Sequence, residues 1–120
     1  MNKVVLIGNL TKDPEISETP NGIAVCKFSI AVSRKYKDEK GESVTDFFNV
    51  IAWRGLAETC GKYLAKGKKV SVVGTLQNRS YKDKDGYERR VTEVVAEEAE
   101  FLTPKSENTK LTPVDDDLPF

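Results

Sequence analysis

Within the first 102 residues, short apolar stretches with strand-like spacing are bracketed by turn-rich or polar segments, and in one stretch the spacing lengthens. A period of two belongs to a strand with one face turned inward, and a period near 3.6 belongs to a helix. A run from Val4 to Leu10 ends at the turn-forming Thr11-Lys12-Asp13-Pro14 and predicts a first strand. After the turn Pro20-Asn21-Gly22, the alternation of Val25, Phe28, Ile30 and Val32 predicts a second strand over Ile23 to Ser33. Arg34 to Ser43 is polar, lysine-rich and holds Gly41, and reads as a loop. Val44 to Trp53 predicts a third strand. From Gly55 to Lys66 the period changes, with Leu56, Cys60, Tyr63 and Leu64 at i, i+4, i+7 and i+8. That stripe predicts a short amphipathic helix stopped by Gly67. Lys69 to Tyr81 returns to strand, with Val70, Val72, Gly74 and Leu76 on one parity. Asp85-Gly86 signals a hairpin, and Arg89 to Ala96 predicts a fifth strand that Ala99 to Leu102 extends.

Three strands, one helix and two strands is the order of the OB-fold, a five-stranded, partly open Greek-key barrel that binds oligonucleotides on one face. The expected class is therefore all-β, with residues 1–102 as one domain. From Thr103 the apolar periodicity stops, so 103–114 read as a flexible linker and 115–120 as a separate acidic tip.

The chain contains no histidine. This removes the commonest general base and the Ser-His and Cys-His nucleophiles. Cys26 and Cys60 stand alone without metal-ligand spacing and read as buried free thiols. Asp13, Asp46, Asp83 and Asp85 fall in turns and strand ends without a ligand pattern. No enzymatic activity, metal or cofactor is expected. No run of about 18 apolar residues and no signal-peptide pattern occur, so a cytosolic protein without membrane contact is expected.

The formal net charge of +0 averages two unlike parts. Residues 1–102 hold 17 Lys and Arg against 15 Asp and Glu, giving +2, whereas 103–120 hold 2 against 4, giving −2. A body this weakly basic must owe any nucleic-acid affinity to where its charges stand.

On the third strand Phe47, Asn49, Ile51 and Trp53 share one face, while Phe48, Val50 and Ala52 share the other. Only one face enters the barrel, so the other is either covered by a subunit or helix or is a binding surface. Arg79 and Tyr81 share a parity opposite to Leu76, Tyr36 lies among Arg34, Lys35 and Lys37, and Tyr87 stands near Arg89. Aromatic rings offer stacking platforms to any unpaired base, worth ~1–3 kcal/mol each, and interleaved cations hold the phosphates. Bases in a duplex already stack on each other, so such a surface favours single strands.

Several segments resemble the bacterial and phage single-stranded DNA-binding protein family. They include Met1-Asn2-Lys3-Val4-Val5-Leu6-Ile7-Gly8-Asn9-Leu10, Asp13-Pro14-Glu15, Thr45-Asp46-Phe47-Phe48-Asn49-Val50, Leu56-Ala57-Glu58 and Tyr63-Leu64. Lys66-Gly67, Val72-Val73-Gly74 and Thr92-Glu93-Val94 extend the resemblance across residues 1–102. It implies that Tyr36, Phe47, Trp53 and Tyr81 stack on bases. The family often carries tryptophan at the first, second and fourth of these, whereas the single tryptophan here is at the third. Lys3, Arg34, Lys35, Arg54, Arg79 and Arg89 are the matching cations; the alternative for each is a solvated surface charge, and for Lys3 and Lys35 the two readings weigh about the same. The resemblance further implies a homotetramer, with roles in replication, recombination and repair.

The chain's last six residues are Asp115-Asp116-Asp117-Leu118-Pro119-Phe120. An acidic run is usually a solubilising tail. Here it ends in apolar residues, and Phe120 joins a hydrophobic anchor to a carboxylate, which suits a partner pocket with a basic rim. The family's tip, which this one resembles, binds replication, recombination and repair proteins. Two other readings of the whole chain stay open: an OB-fold protein-interaction module, and a sequence-tolerant RNA binder.

Overall fold

A computed structural model describes residues 1–102. The linker and the acidic tip expected at 103–114 and 115–120 lie outside the described residues. The elements are β1 (Val4–Leu10), β2 (Glu15–Glu18), β3 (Ala24–Lys37), β4 (Ser43–Trp53), α1 (Arg54–Tyr63), β5 (Lys69–Lys82) and β6 (Glu88–Phe101). The strand order β1-β5-β6-β4-β3 closes through a short β1–β3 pairing at Asn9↔Ala31 and Leu10↔Ile30, giving the five-stranded barrel. All pairings are antiparallel except β4 with β6, which meet in parallel at Val50↔Val94 and Ile51↔Val95. The OB-fold expectation therefore holds.

Alternation explains the core. Ile30, Val50, Val70, Val72 and Val94 are fully buried, one or two from each of four strands, and Cys26 and Cys60 join them. Each such aliphatic side chain contributes about 1.5–3 kcal/mol on leaving water. Helix α1 plugs the barrel with Ala57 and Cys60, and Leu64 just beyond it completes the seal. Tyr63, expected in the buried stripe, is half exposed and rests against Phe101, ring centres 5.7 Å apart.

Three boundaries depart from expectation. Strand β2 has no counterpart in the sequence reading, because its four residues are all exposed and leave no apolar alternation; its pairing with β3 places it at the barrel's edge. Strand β3 continues to Lys37, so Arg34, Lys35 and Tyr36 stand on a strand and not in a loop. Only the tip at 38–42 turns, with the Asp38 carboxylate accepting from the backbone N–H of Lys40 and Glu42. Helix α1 ends at Tyr63, three residues before Lys66.

Strands β5 and β6 outgrow the barrel. Up to Gly74 their inward residues are buried, and beyond it β5 is exposed almost throughout. Leu76, which parity places with the core residues, is exposed for this reason. The two strands slip register at Val73/Gly74, where an added Cβ would stand 2.1 Å from the Val95 carbonyl oxygen. Only glycine allows that approach. The resulting arm turns at Gly86 (φ 86°), with the Asp83 carboxylate accepting from the N–H of Asp85 and Tyr87.

Candidate nucleic-acid interface

The outward parity of β4 decides the position of the site. Phe48, Val50 and Ala52 turn inward, which leaves Phe47, Asn49, Ile51 and Trp53 on the outer face. Opposite them on β3 stand Ala31, Ser29, Lys27 and Val25. This face is the floor of a groove. The β5–β6 arm forms one wall with Arg79, Tyr81, Val91 and Glu93, and Lys12 and Glu15 form the other. The main hollow holds about 370 Å³, and a second of about 300 Å³ continues toward Trp53. Lys27 and Arg79 line both, so the two are one continuous trough.

The expected stacking residues are all solvent-accessible: Tyr36 78%, Phe47 66%, Tyr81 44% and Trp53 40%. Aromatic side chains that were core would be buried, so the covered-core reading fails for this chain on its own. Trp53 and Tyr81 border the trough. Phe47 shares the β4 face with Trp53 but stands six residues away, roughly 20 Å along the strand. Tyr36 lies at the far end of β3. The structure thus gathers Trp53, Arg79 and Tyr81 in the trough and spreads Phe47 and Tyr36 along the β3–β4 hairpin, a track rather than a pocket.

The cations differ from one another more than the sequence suggests. Arg34 donates from Nε and Nη2 to Asp46 at 2.8 and 3.0 Å. Arg79 donates in the same side-on manner to Glu93 at 3.2 and 3.1 Å. Arg89 donates to Asp83 at 2.8 Å. The guanidinium groups hold the carboxyls of Asp46, Asp83 and Glu93 below the ordinary carboxylate range. Three of the six expected cations therefore arrive with their charge already answered. Cross-strand and hairpin spacing could have exposed the first two: Arg34 and Asp46 flank the Ser33↔Thr45 pair, and Arg79 is two positions from Gln77, the partner of Glu93.

Arg54 opens α1 with φ 59°, the one non-glycine residue in the left-handed region among those described. Lys3 precedes β1, held near β5 by Asn2, whose side chain exchanges two hydrogen bonds with the Leu76 backbone at 2.8 and 2.9 Å. Lys35 is exposed on β3. None of these three lines the trough. Lys27 and Lys12 do, and the sequence reading missed both. Lys27 lies on the parity opposite to Cys26, Phe28 and Ile30, which turns it outward toward Ile51 and Arg79, but nothing in the sequence sets it apart from any other solvated lysine.

The remaining chemistry is quiet. Burial pushes the Cys60 thiol up to about 12 and raises that of Cys26, so neither is a nucleophile. Among the described residues, no group of His, Cys, Asp and Glu could hold a metal ion, and no helix is long and apolar enough to cross a membrane.

Residues 1–102 match the model of the single-strand binding protein family. The chain is 47% identical to single-stranded DNA-binding protein 2 of Listeria monocytogenes over 92% of its own length and 69% of that protein's. It is 47% identical to the single-stranded DNA-binding protein of Bacillus cereus over 88% of its length, spanning 62% of that relative. With single-stranded DNA-binding protein 2 of Clostridium acetobutylicum it shares 46% identity across the full length of both. The matched region is the barrel with its trough, and the chain belongs to the single-strand binding protein family, a family of DNA-binding proteins rather than enzymes.

Proposed function

We propose that this chain binds single-stranded DNA with little regard for sequence, shielding unpaired strands during replication, recombination and repair. The observation that carries the reading is the trough in which Trp53, Arg79 and Tyr81 meet. Its rings suit splayed bases, and its width across two strands and an arm suits one extended chain. Tyr36, Phe47, Lys35, Arg34 and Arg89 continue the path over the two hairpins, and Lys3 and Arg54 add cations before β1 and at the start of α1. Nothing at the rings selects one base over another, because every base offers a π face.

The test is competition. Protein bound to labelled oligo(dT) is challenged with poly(dT), poly(U) and duplex DNA at one salt concentration. Displacement by poly(dT) far below the concentration of duplex supports the reading; equal displacement by duplex contradicts it. Equal displacement by poly(U) would make the chain a general single-strand binder.

The protein works as a homotetramer, with DNA wrapping several subunits, and acts in the cytoplasm at the nucleoid. Light scattering should return four times the 13.4 kDa chain. Asp115, Asp116, Asp117, Leu118, Pro119 and Phe120 recruit replication, recombination and repair proteins, the aspartates suiting a basic rim and Leu118 to Phe120 an apolar floor. Deleting 115–120 should leave the barrel's melting temperature unchanged and empty a pull-down from cell extract. Retention of the same captured proteins would reduce the tip to a solubilising tail.

A further inference from the structure

The trough is poorly charged for a surface meant to hold phosphates. Lys12, Lys27 and Arg79 line it together with Glu15, Glu18 and Glu93, so three cations meet three carboxylates and no net positive charge remains. Glu93 is the best placed of the three acids. Its side chain is only 14% exposed and it clamps Arg79 through both oxygens. Lys27 also faces it across the trough. On its other side Arg79 meets the ring of Tyr81. The guanidinium is thereby fixed where a strand would pass, with Nε and one Nη2 hydrogen committed to Glu93 and the remaining donors still free for a phosphate.

Resting on the single-strand reading, we propose that Glu93 is a counter-charge built into the DNA trough: it positions Arg79 beside Tyr81 yet cancels its charge, holding single-strand affinity and salt sensitivity below what the cations alone would give. An ion pair within the site gives phosphate a hydrogen-bonding fork without net attraction. A strand can therefore be held by stacking and still be released when another protein needs the DNA. Arg34 with Asp46 and Arg89 with Asp83 repeat the pattern at more exposed positions.

The experiment is oligo(dT) affinity across a potassium chloride series for the full chain and four variants. Glu93→Gln keeps the size of the side chain and one acceptor for Arg79 while removing the charge. Glu100→Gln removes the same charge at the other end of β6, outside the trough, and controls for net charge. Arg79→Ala and Arg79→Ala/Glu93→Gln complete a cycle. Glu93→Gln should bind several-fold tighter at low salt, with a log–log slope steeper by up to about 0.7, the contribution of one added phosphate neutralisation on a single strand. The gain should fade as salt rises, and Glu100→Gln should bind as the unmodified chain does. Arg79→Ala should weaken binding, and adding Glu93→Gln to it should recover much of the loss.

If Glu93 only held Arg79 in place, Glu93→Gln would bind equally or more weakly, and adding it to Arg79→Ala would change nothing; either result overturns the proposal. Equal tightening by Glu100→Gln overturns it as well. An unmodified chain that failed to bind oligo(dT) would remove the function itself. An unmodified chain that bound well, with no gain from Glu93→Gln, would remove only the counter-charge.

Discussion

The Arg79 guanidinium lies 5.7 Å from the centre of the Tyr81 ring, two residues along the same strand and on the same side of it. In the function proposed above, cation and ring would serve one nucleotide step, the ring facing a base and the guanidinium its phosphate. Tyr81→Ala should weaken oligo(dT) binding by about 1–3 kcal/mol. Tyr81→Phe should keep most of the affinity, because the ring and not the hydroxyl does the stacking. The salt slope should hardly move in either variant, since no charge is altered. A steep change of slope in Tyr81→Ala would mean that the ring acts by holding Arg79.

Arg54 supplies a test of function bought with strain. A left-handed backbone costs a non-glycine residue roughly 1–2 kcal/mol, and Arg54 adopts φ 59° at the start of α1. Inside a helix, alanine ordinarily outranks glycine by about 1 kcal/mol. Here the order should invert, with Arg54→Gly melting above Arg54→Ala, while both lose DNA affinity to a similar degree. The ordinary order in thermal melts would show that the strain is not real, and unchanged affinity would remove Arg54 from the site.

Gly74 tests the arm. An added methyl would meet the Val95 carbonyl oxygen, which belongs to backbone and cannot turn aside. Gly74→Ala should destabilise the fold by about 1–3 kcal/mol in urea denaturation. It should also lower DNA affinity, because the same bulge aims the wall that carries Arg79 and Tyr81. A neutral substitution would contradict the register slip.

Much of this was legible beforehand. Strand β1 was readable to its last residue, because turn residues bracket an apolar run. Parity alone separated the two faces of β4, but both carry large apolar side chains, and only the structure shows that Phe48, Val50 and Ala52 turn inward. Strand β2 was not legible, since backbone hydrogen bonds to β3 build it and its side chains carry no burial signal. The far half of β3 read as a loop because it leaves the barrel and so has no core to face. Within the site, Tyr36 and Tyr81 stood out by the cations beside them, whereas Phe47 and Trp53 were marked only by sharing one face of a strand. The pairings of Arg34 and Arg79 follow only once strand register is assigned, and that of Arg89 with Asp83 depends on the hairpin's own geometry. Lys27 was hidden because one lysine in a strand looks like any other solvated charge.

The ion pairs set a pH dependence. Asp46, Asp83 and Glu93 titrate below their ordinary values of 3.8, 3.8 and 4.5 in the folded chain, first because of hydrogen bonds from Arg34, Arg89 and Arg79. As pH falls, the unfolded chain takes up these protons first, so stability rises with pH across this window. The contribution is complete above the ordinary carboxylate values and is lost as pH falls through the lower folded ones. Melting temperature should stay level from neutral down to about pH 5 and then fall. In a variant carrying Asp46→Asn, Asp83→Asn and Glu93→Gln the fall should be shallower. An identical fall would show that these pairs contribute nothing, a real outcome for exposed pairs.

Stacking of unpaired bases on the exposed rings of the trough would be reported directly by Trp53, the chain's single tryptophan. The measurement is Trp53 fluorescence during titration with poly(dT) and, separately, with duplex DNA at the same salt. Stacking on a base quenches the indole, so poly(dT) should quench strongly and saturably, and duplex far less. Equal quenching by the two, or none by poly(dT) at concentrations where it is bound, would contradict the account.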